Sequence, residues 1–297
     1  MKAYRWKKDR KINAPGAYVG LPIDVYHGDP VEGRFVTASS LKRAARSPAH
    51  FWAQCAWNPD REPPDVDTDA LRLGKAGHIA AFQPELFDEQ FVVSPYEAYR
   101  TNEAKAWKEA TLAEGKLPIK QAELDTIVRM AAALRADPEA RELFKDSLPE
   151  MTFVTRDEAT GLWMLSRPDS TPSSNARGLV DYKTSANGAW EAYGRAAYDY
   201  GYDIQTVLAL DNVAEVTGEL RPCMWHVVQE KEPPFVVSVH RWEPDQIMFA
   251  RRKVRDLLDR IASCIETGEW PGYGPAQRLV TPYYVQRQMD QERNDAA

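Results

Sequence analysis

The chain has 297 residues, of which 43% are hydrophobic and 28% charged, with a formal net charge of −6. That length can bury a sizeable core in one large domain or two small ones. No apolar run approaches the roughly 18–20 residues a membrane-spanning helix needs. The negative charge argues against a surface that wraps nucleic acid everywhere, but leaves room for a confined basic channel. Cys55, Cys223 and Cys264 lie far apart, which argues against a disulfide framework and against an iron–sulfur cluster or an all-cysteine zinc site. The first ten residues are charged and carry no apolar signal core, so the expected location is the cytoplasm.

Residues 1–35, rich in Gly, Pro and aromatics without helical period, predict an irregular arm or a short hairpin. Thr37, Ser39 and Ser40 offer helix caps ahead of Leu41, Ala44, Ala45, Phe51 and Trp52. The prolines of 58–65 predict a loop. Leu71, Ala76, Ile79, Ala80 and Phe82 predict a helix from about Thr68 to Phe82. A short strand is expected at 91–94, and helices at 100–115 and 120–146, the second broken near Asp137-Pro138. From Glu150 onward strands dominate: 151–155 and 162–166 flank a turn closed by Gly161. A turn-rich connection over 170–178 leads into a strand at 179–184. A helix over 189–213, bent near Gly201, precedes strands at 222–229 and 235–242, a helix from Pro244 to about Glu266, and a mostly irregular tail. This order predicts an α/β fold with a mixed central sheet flanked by helices. The expected division is an arm (1–35), one domain (36–275, helical to 148 and chemical from 149) and a tail (276–297).

The chemistry concentrates in Gly178-Leu-Val-Asp-Tyr-Lys-Thr184, with Arg167-Pro-Asp169 just upstream. Residues i and i+2 of a strand share a face, so Asp181 and Lys183 belong together. Asp169 would join them across a turn. Two carboxylates suit a hard divalent cation such as Mg²⁺, and a nearby ammonium suits a phosphate or the water attacking it.

Pro168-Asp169 and Asp181-x-Lys183 match the PD-(D/E)xK signature. Gly74-Lys-Ala-Gly-His78 on a predicted helix and Tyr202-Asp-Ile-Gln205 on the helix after the motif strand resemble the RecB-like branch of that superfamily. Glu150 takes the place of its early acidic residue. Tyr26-His27, Ser39-Ser-Leu-Lys42 leading to Ser47-Pro48, and Trp270-Pro-Gly-Tyr273 extend the likeness to RecE-type (exonuclease VIII-like) phage and prophage exonucleases over roughly residues 25–275. The resemblance implies a restriction-endonuclease-like core that digests linear double-stranded DNA with Mg²⁺, Mn²⁺ substituting. It also implies 5′-to-3′ resection that leaves 3′ tails for a single-strand annealing protein in phage-type recombination. A homo-oligomeric ring in a bacterial or phage-infected cell goes with it. By motif position Asp169, Asp181, His78 and the Tyr182 carbonyl would hold the metal. Lys183 would orient or deprotonate the attacking water, and Glu150, Tyr202 and Gln205 would support the site.

Lys42, Arg43, Arg46 and Arg167 are candidate DNA contacts. Arg251-Arg-Lys-Val-Arg255 reads first as a solvated helix face. Trp190 and the tyrosines at 193, 198, 200 and 202 could stack on bases, though helix-spaced aromatics more often build core. His27, His50, His226 and His240 fall in no pattern. Two other readings stand beside the exonuclease: a structure- or sequence-specific endonuclease on the same core, and a catalytically silent DNA-binding or partner-docking protein.

Overall fold

A computed structural model describes residues 3–8, 10–61, 69–276 and 278–295. The first 35 residues carry β1 (Ala3–Arg5), β2 (Gly16–Val19) and α1 (Ile23–His27). β1 and β2 run parallel, so they form no hairpin, and β2 pairs antiparallel with a later strand. The segment is held by burial: Ile12, Leu21, Tyr26 and Val31 pack with Phe35, Val154, Trp163 and Leu165 in one cluster. After β3 (Phe35–Thr37) comes α2 (Ala38–Arg46). Thr37 and Ser40 cap α2 reciprocally: the Ser40 amide donates to Thr37 Oγ1 at 3.3 Å and the Thr37 amide to Ser40 Oγ at 2.8 Å. Ser47 then caps α3 (Pro48–Ala53), whose first residue is a proline.

α4 (Asp69–Phe82) follows; its expected first residue, Thr68, and residues 62–65 of the expected loop lie outside the described residues. A 3-10 turn (Pro84–Leu86), α5 (Phe87–Gln90), β4 (Phe91–Val93), α6 (Asn102–Ala113) and β5 (Leu117–Ile119) come next. α7 (Gln121–Ala136) and α8 (Pro138–Phe144) divide at Asp137, whose carboxylate accepts the Ala140 amide at 2.8 Å. The strand half contains β6 (Ser147–Pro149), β7 (Thr152–Arg156), β8 (Trp163–Ser166), β9 (Ser170–Pro172) and β10 (Leu179–Ser185). α9 (Trp190–Asp199) and α10 (Tyr202–Thr217) meet at Gly201, which adopts φ +64°. β11 (Met224–Glu230), β12 (Val237–Arg241), α11 (Pro244–Thr267) and α12 (Tyr283–Asp295) complete the chain. The tail therefore carries a helix where irregular chain was expected.

The α/β class is as expected, with the strands in two mixed five-stranded sheets, ordered β1-β2-β7-β8-β3 and β12-β11-β10-β9-β6, and a separate β4-β5 pair. The two sheets are joined by the chain itself. β8 pairs with β7, β9 with β10 and β6, and between β8 and β9 lie only Arg167, Pro168 and Asp169. Pro168 has no N–H for a ladder, so continuous pairing is interrupted there. β9 was not expected, because Ser-Thr-Pro is turn-like in composition. α10 packs on β7 and β8 and against α2, α9 and α11. Asn212 fastens it to the hairpin: its Oδ1 accepts from Thr155 Oγ1 at 2.8 Å and its Nδ2 donates to the Met164 carbonyl at 3.1 Å. At its other end α10 meets the motif strand, where Gln205 donates to Asp181.

Gly178 opens that strand against β11. A Cβ there would lie 2.6 Å from the Cys223 carbonyl oxygen and 2.7 Å from its sulfur. Gly178→Ala must push the two strands apart, and we expect a loss of about 1–3 kcal/mol in urea unfolding. An unchanged midpoint would contradict this packing.

Candidate metal centre

Asp169 sits in the break between the two sheets. Its Oδ2 accepts the backbone N–H of Tyr182 at 2.6 Å, which draws the carboxylate onto the motif strand. Its Oδ1 lies 3.1 Å from His78 Nε2, carried by α4. Glu150 precedes β7 in the left-handed region, φ +53°, and its amide donates to the Asp169 carbonyl at 3.2 Å. That unusual backbone for a non-glycine turns the carboxylate to His78, with Oε1 at 3.4 Å from Nε2. One donor atom from each of His78, Glu150 and Asp169 falls within 4.8 Å of the others.

Asp181 is fully buried. Its Oδ1 accepts from Gln205 Nε2 at 2.7 Å and its Oδ2 is paired with the Lys183 ammonium. Tyr202 lies alongside, with the Lys183 Nζ 4.7 Å from its ring centroid. His78, Glu150, Asp169, Lys183, Gln205 and Lys42 all face an open cleft of about 670 Å³. Asp181 lies behind that wall and outside the three-donor group, so Glu150, expected in support, is the acid nearest His78 and Asp169.

The charges perturb one another. Burial disfavours charge on His78, but Asp169, hydrogen-bonded to it, together with Glu150 and Asp181 lifts its pKa to about 9. Burial also opposes ionisation of Asp169, yet His78, Lys183 and the Tyr182 amide hold its carboxyl below the usual range. Burial and the neighbouring Asp169 push Glu150 up to about 7, against the pull of His78 and Arg167. Asp181 rises to about 6, from burial first, despite Lys183. Burial opposes charge on Lys183 as well, but Asp181 and Asp169 outweigh it and keep the ammonium protonated.

The other expected residues fall in different places. The Tyr182 carbonyl lies in the strand between the two motif residues, and the Tyr182 hydroxyl donates to Gln229 Oε1 at 2.6 Å. Arg167, expected on DNA, turns inward: it donates to Thr152 Oγ1 at 2.8 Å and the Leu21 carbonyl at 2.6 Å, with its guanidinium over the Tyr26 ring. Arg43 and Arg46 are exposed on α2, and Arg46 donates to the Tyr273 hydroxyl at 3.2 Å. On α11, Arg251 pairs with Asp211, Lys253 with Asp203 and Arg255 with Asp157 and Asp259. Of the aromatics, Tyr193 is core, whereas Trp190, Tyr198 and Tyr200 are exposed.

A support behind the site escaped sequence reading. His226 stands in register with Asp181 on the adjacent parallel strand. Its Nε2 accepts from Trp242 Nε1 at 3.3 Å, which leaves Nδ1 to carry the proton toward the Tyr193 hydroxyl at 2.7 Å. Burial, with Lys183 and His240 nearby, lowers its pKa to about 3. No spacing marks this residue; only the strand register brings it there.

The donor set fits a hard divalent cation: two converging carboxylates and an imidazole, with the buried Asp181 carboxylate next to them. The family described as a PDDEXK-like domain of unknown function (DUF3799) matches residues 37–279. The chain belongs to this PDDEXK-like family. The Pro168-Asp169 and Asp181-x-Lys183 pattern agrees with the description of that family, whose match does not distinguish a RecE-type branch. The fold is shared with a provisionally assigned exonuclease from Eubacterium rectale, at TM-score 0.58 and 15% identity over 86% of this chain and 92% of that one. An alkaline exonuclease from Laribacter hongkongensis aligns over 71% of this chain and 100% of its own, at 13% identity and TM-score 0.27, too low to carry an argument. No curated protein matches the sequence. Among the described residues no helix is long and apolar enough to cross a membrane.

Two outcomes are expected. Calorimetry should show Mn²⁺ binding to the intact chain that falls at least tenfold in Asp169→Ala; equal affinity would remove Asp169 from the metal set. For His226, the folded pKa of about 3 lies below the unfolded value near 6.5. The stability it contributes is therefore complete above pH 6.5 and lost as pH falls toward 3. Between pH 6.5 and 5, wild type should lose about 2 kcal/mol more than His226→Gln. Parallel losses would show that His226 is not held neutral.

Proposed function

We propose that this PDDEXK-like protein is a Mg²⁺-dependent exodeoxyribonuclease that resects linear double-stranded DNA. The observation that carries the reading is the convergence of Asp169 and Lys183 on one cleft, with Asp181 behind Lys183 and His78 and Glu150 beside Asp169. His78, Glu150 and Asp169 would hold the cation, with Asp181 and the Tyr182 carbonyl as the neighbouring ligands that the motif supplies. A bound divalent cation supplies Lewis acidity at the phosphate and lowers the pKa of a coordinated water.

The chain's own groups do the rest. Lys183 stays charged through its pairing with Asp181, so it orients the attacking water by donation and stabilises negative charge accumulating on the phosphate in the transition state. Gln205 fixes the Asp181 carboxylate, and Tyr202 flanks the Lys183 ammonium. Mn²⁺ would substitute, because the donors mix nitrogen and oxygen. The RecE-like features add 5′-to-3′ polarity, 3′ tails passed to an annealing protein, a ring-shaped homo-oligomer and action in the cytoplasm of a bacterial or phage-infected cell. The exonuclease name of the Eubacterium rectale neighbour agrees with the chemistry proposed.

End-labelled linear duplex with Mg²⁺, alongside closed circular DNA, tests the reading. Wild type should release label from the linear form and leave circles intact; cut circles would favour an endonuclease on the same core. Asp181→Ala and Lys183→Ala should each slow digestion by at least 100-fold, about 3 kcal/mol of transition-state stabilisation. Unchanged rates in both would sink the site assignment, and no cleavage by wild type in Mg²⁺ or Mn²⁺ would favour a silent binding protein.

A further inference from the structure

The cleft holds two lysines besides that of the motif, Lys42 and Lys75, and Lys42 shares its aromatic neighbour with Lys183. Lys42, on the first turns of α2, reaches the site with its stem against Gly201: a Cβ on that glycine would lie 3.0 Å from Lys42 Cγ. Its Nζ stands 4.7 Å from the centroid of Tyr202, the same separation as Lys183 Nζ. It also donates to Gln205 Oε1 at 3.5 Å, while the amide nitrogen of the same Gln205 donates to Asp181. One tyrosine ring and one glutamine thus place both ammonium groups at the mouth of one acid.

Their electrostatic situations differ. Lys183 has Asp181 as its counter-ion. Among the described residues Lys42 makes no ion pair, and its polar contacts are an amide oxygen and a π face. Burial, then repulsion from Lys183, lowers its pKa to about 8, with Asp181 and Asp203 opposing; Asp203 is itself paired with Lys253. A half-buried ammonium without a carboxylate is costly, and its charge remains available to an incoming anion. Nucleic-acid phosphate is the anion that a cleft with a second ammonium and a cation site would receive.

We propose that Lys42 is a second phosphate-contacting ammonium of the cleft, acting with Lys183 on one phosphate group of bound DNA. This rests on the nuclease reading and narrows it, since Lys42 becomes a residue of the reacting phosphate rather than of the surrounding track. Both ammonium groups stand 4.7 Å from the centroid of the same Tyr202 ring and both face the cleft, so a phosphate entering it meets the two charges together.

The test is binding of a short linear duplex by the full chain in Ca²⁺ across a range of salt, for wild type, Lys42→Met and Lys42→Arg, with Mg²⁺ digestion run on the same samples. Met retains the length of the stem, so packing against Gly201 and Tyr202 persists. Lys42→Met should weaken binding about tenfold and reduce the slope of log affinity against log salt by about 1, while Lys42→Arg keeps both. Unchanged affinity overturns the proposal. Lost affinity with an unchanged salt slope also overturns it, because the lysine would then be structural, as does a wild type that does not bind DNA. A wild type that binds with the expected slopes but never cuts sinks the nuclease reading and leaves Lys42 as a phosphate contact.

Discussion

One hydrogen bond, from the Tyr182 amide to the Asp169 carboxylate, holds the site together. Pairing of β9 with β10 is registered at Val180 with Ser170, and the chain before it runs through a proline. The Asp169 side chain accepts an amide proton of the motif strand beside this point. The same break that separates the two sheets therefore frees a carboxylate and fixes it. With Asp169 fixed, Glu150 follows, because its amide bonds to the Asp169 carbonyl, and His78 follows by reaching the other oxygen. A site dispersed over a hundred residues of sequence is ordered from a three-residue interruption in a strand.

The charges then sort into two groups. His78, Glu150 and Asp169 form an acid-rich cluster on the cleft wall, suited to a cation. Asp181, Lys183, Gln205 and Lys42 form a second group, in which one carboxylate faces two ammonium groups through an ion pair and an amide. Neither group is neutral alone. A cation beside the first and a phosphate beside the second would relieve both excesses together, which is the electrostatic form of a phosphodiester site.

Much of this was legible in the residues. Two short apolar runs flanking a glycine-closed turn marked β7 and β8, and the cap residues of α2, Asp137-Pro138 and Gly201 marked helix limits that the structure keeps within a few residues. The motif strand, His78 and Gln205 were found by pattern and do meet in space. Three things were not legible. β9 is Ser-Thr-Pro, a sequence that local preference assigns to a turn and only pairing with β6 and β10 makes a strand. The N-terminal arm is ordered by Ile12, Leu21, Tyr26 and Val31 packing on Trp163 and Leu165, partners over a hundred residues away. His226 carries no motif, and its place beside Asp181 is a consequence of parallel register. Long-range pairing decided each case, and sequence windows do not contain it.

A net charge of −6 sits awkwardly with a DNA substrate until the cations are followed to their partners. The basic run on α11, which looks like a phosphate grip, is tied to Asp211, Asp203, Asp157 and Asp259. Arg167 is turned into the protein against Thr152 and Leu21. Cations that stay available include three on α2: Lys42 facing the cleft, and Arg43 and Arg46 exposed on the helix that carries it. The field that a phosphate backbone would meet near the site depends on this local arrangement, since exposed charges more than about 10 Å away are screened. An acidic chain can in this way present a basic approach, provided that its other cations are neutralised within the fold. α2 carries Lys42, Arg43 and Arg46 and none of the acids that converge on His78.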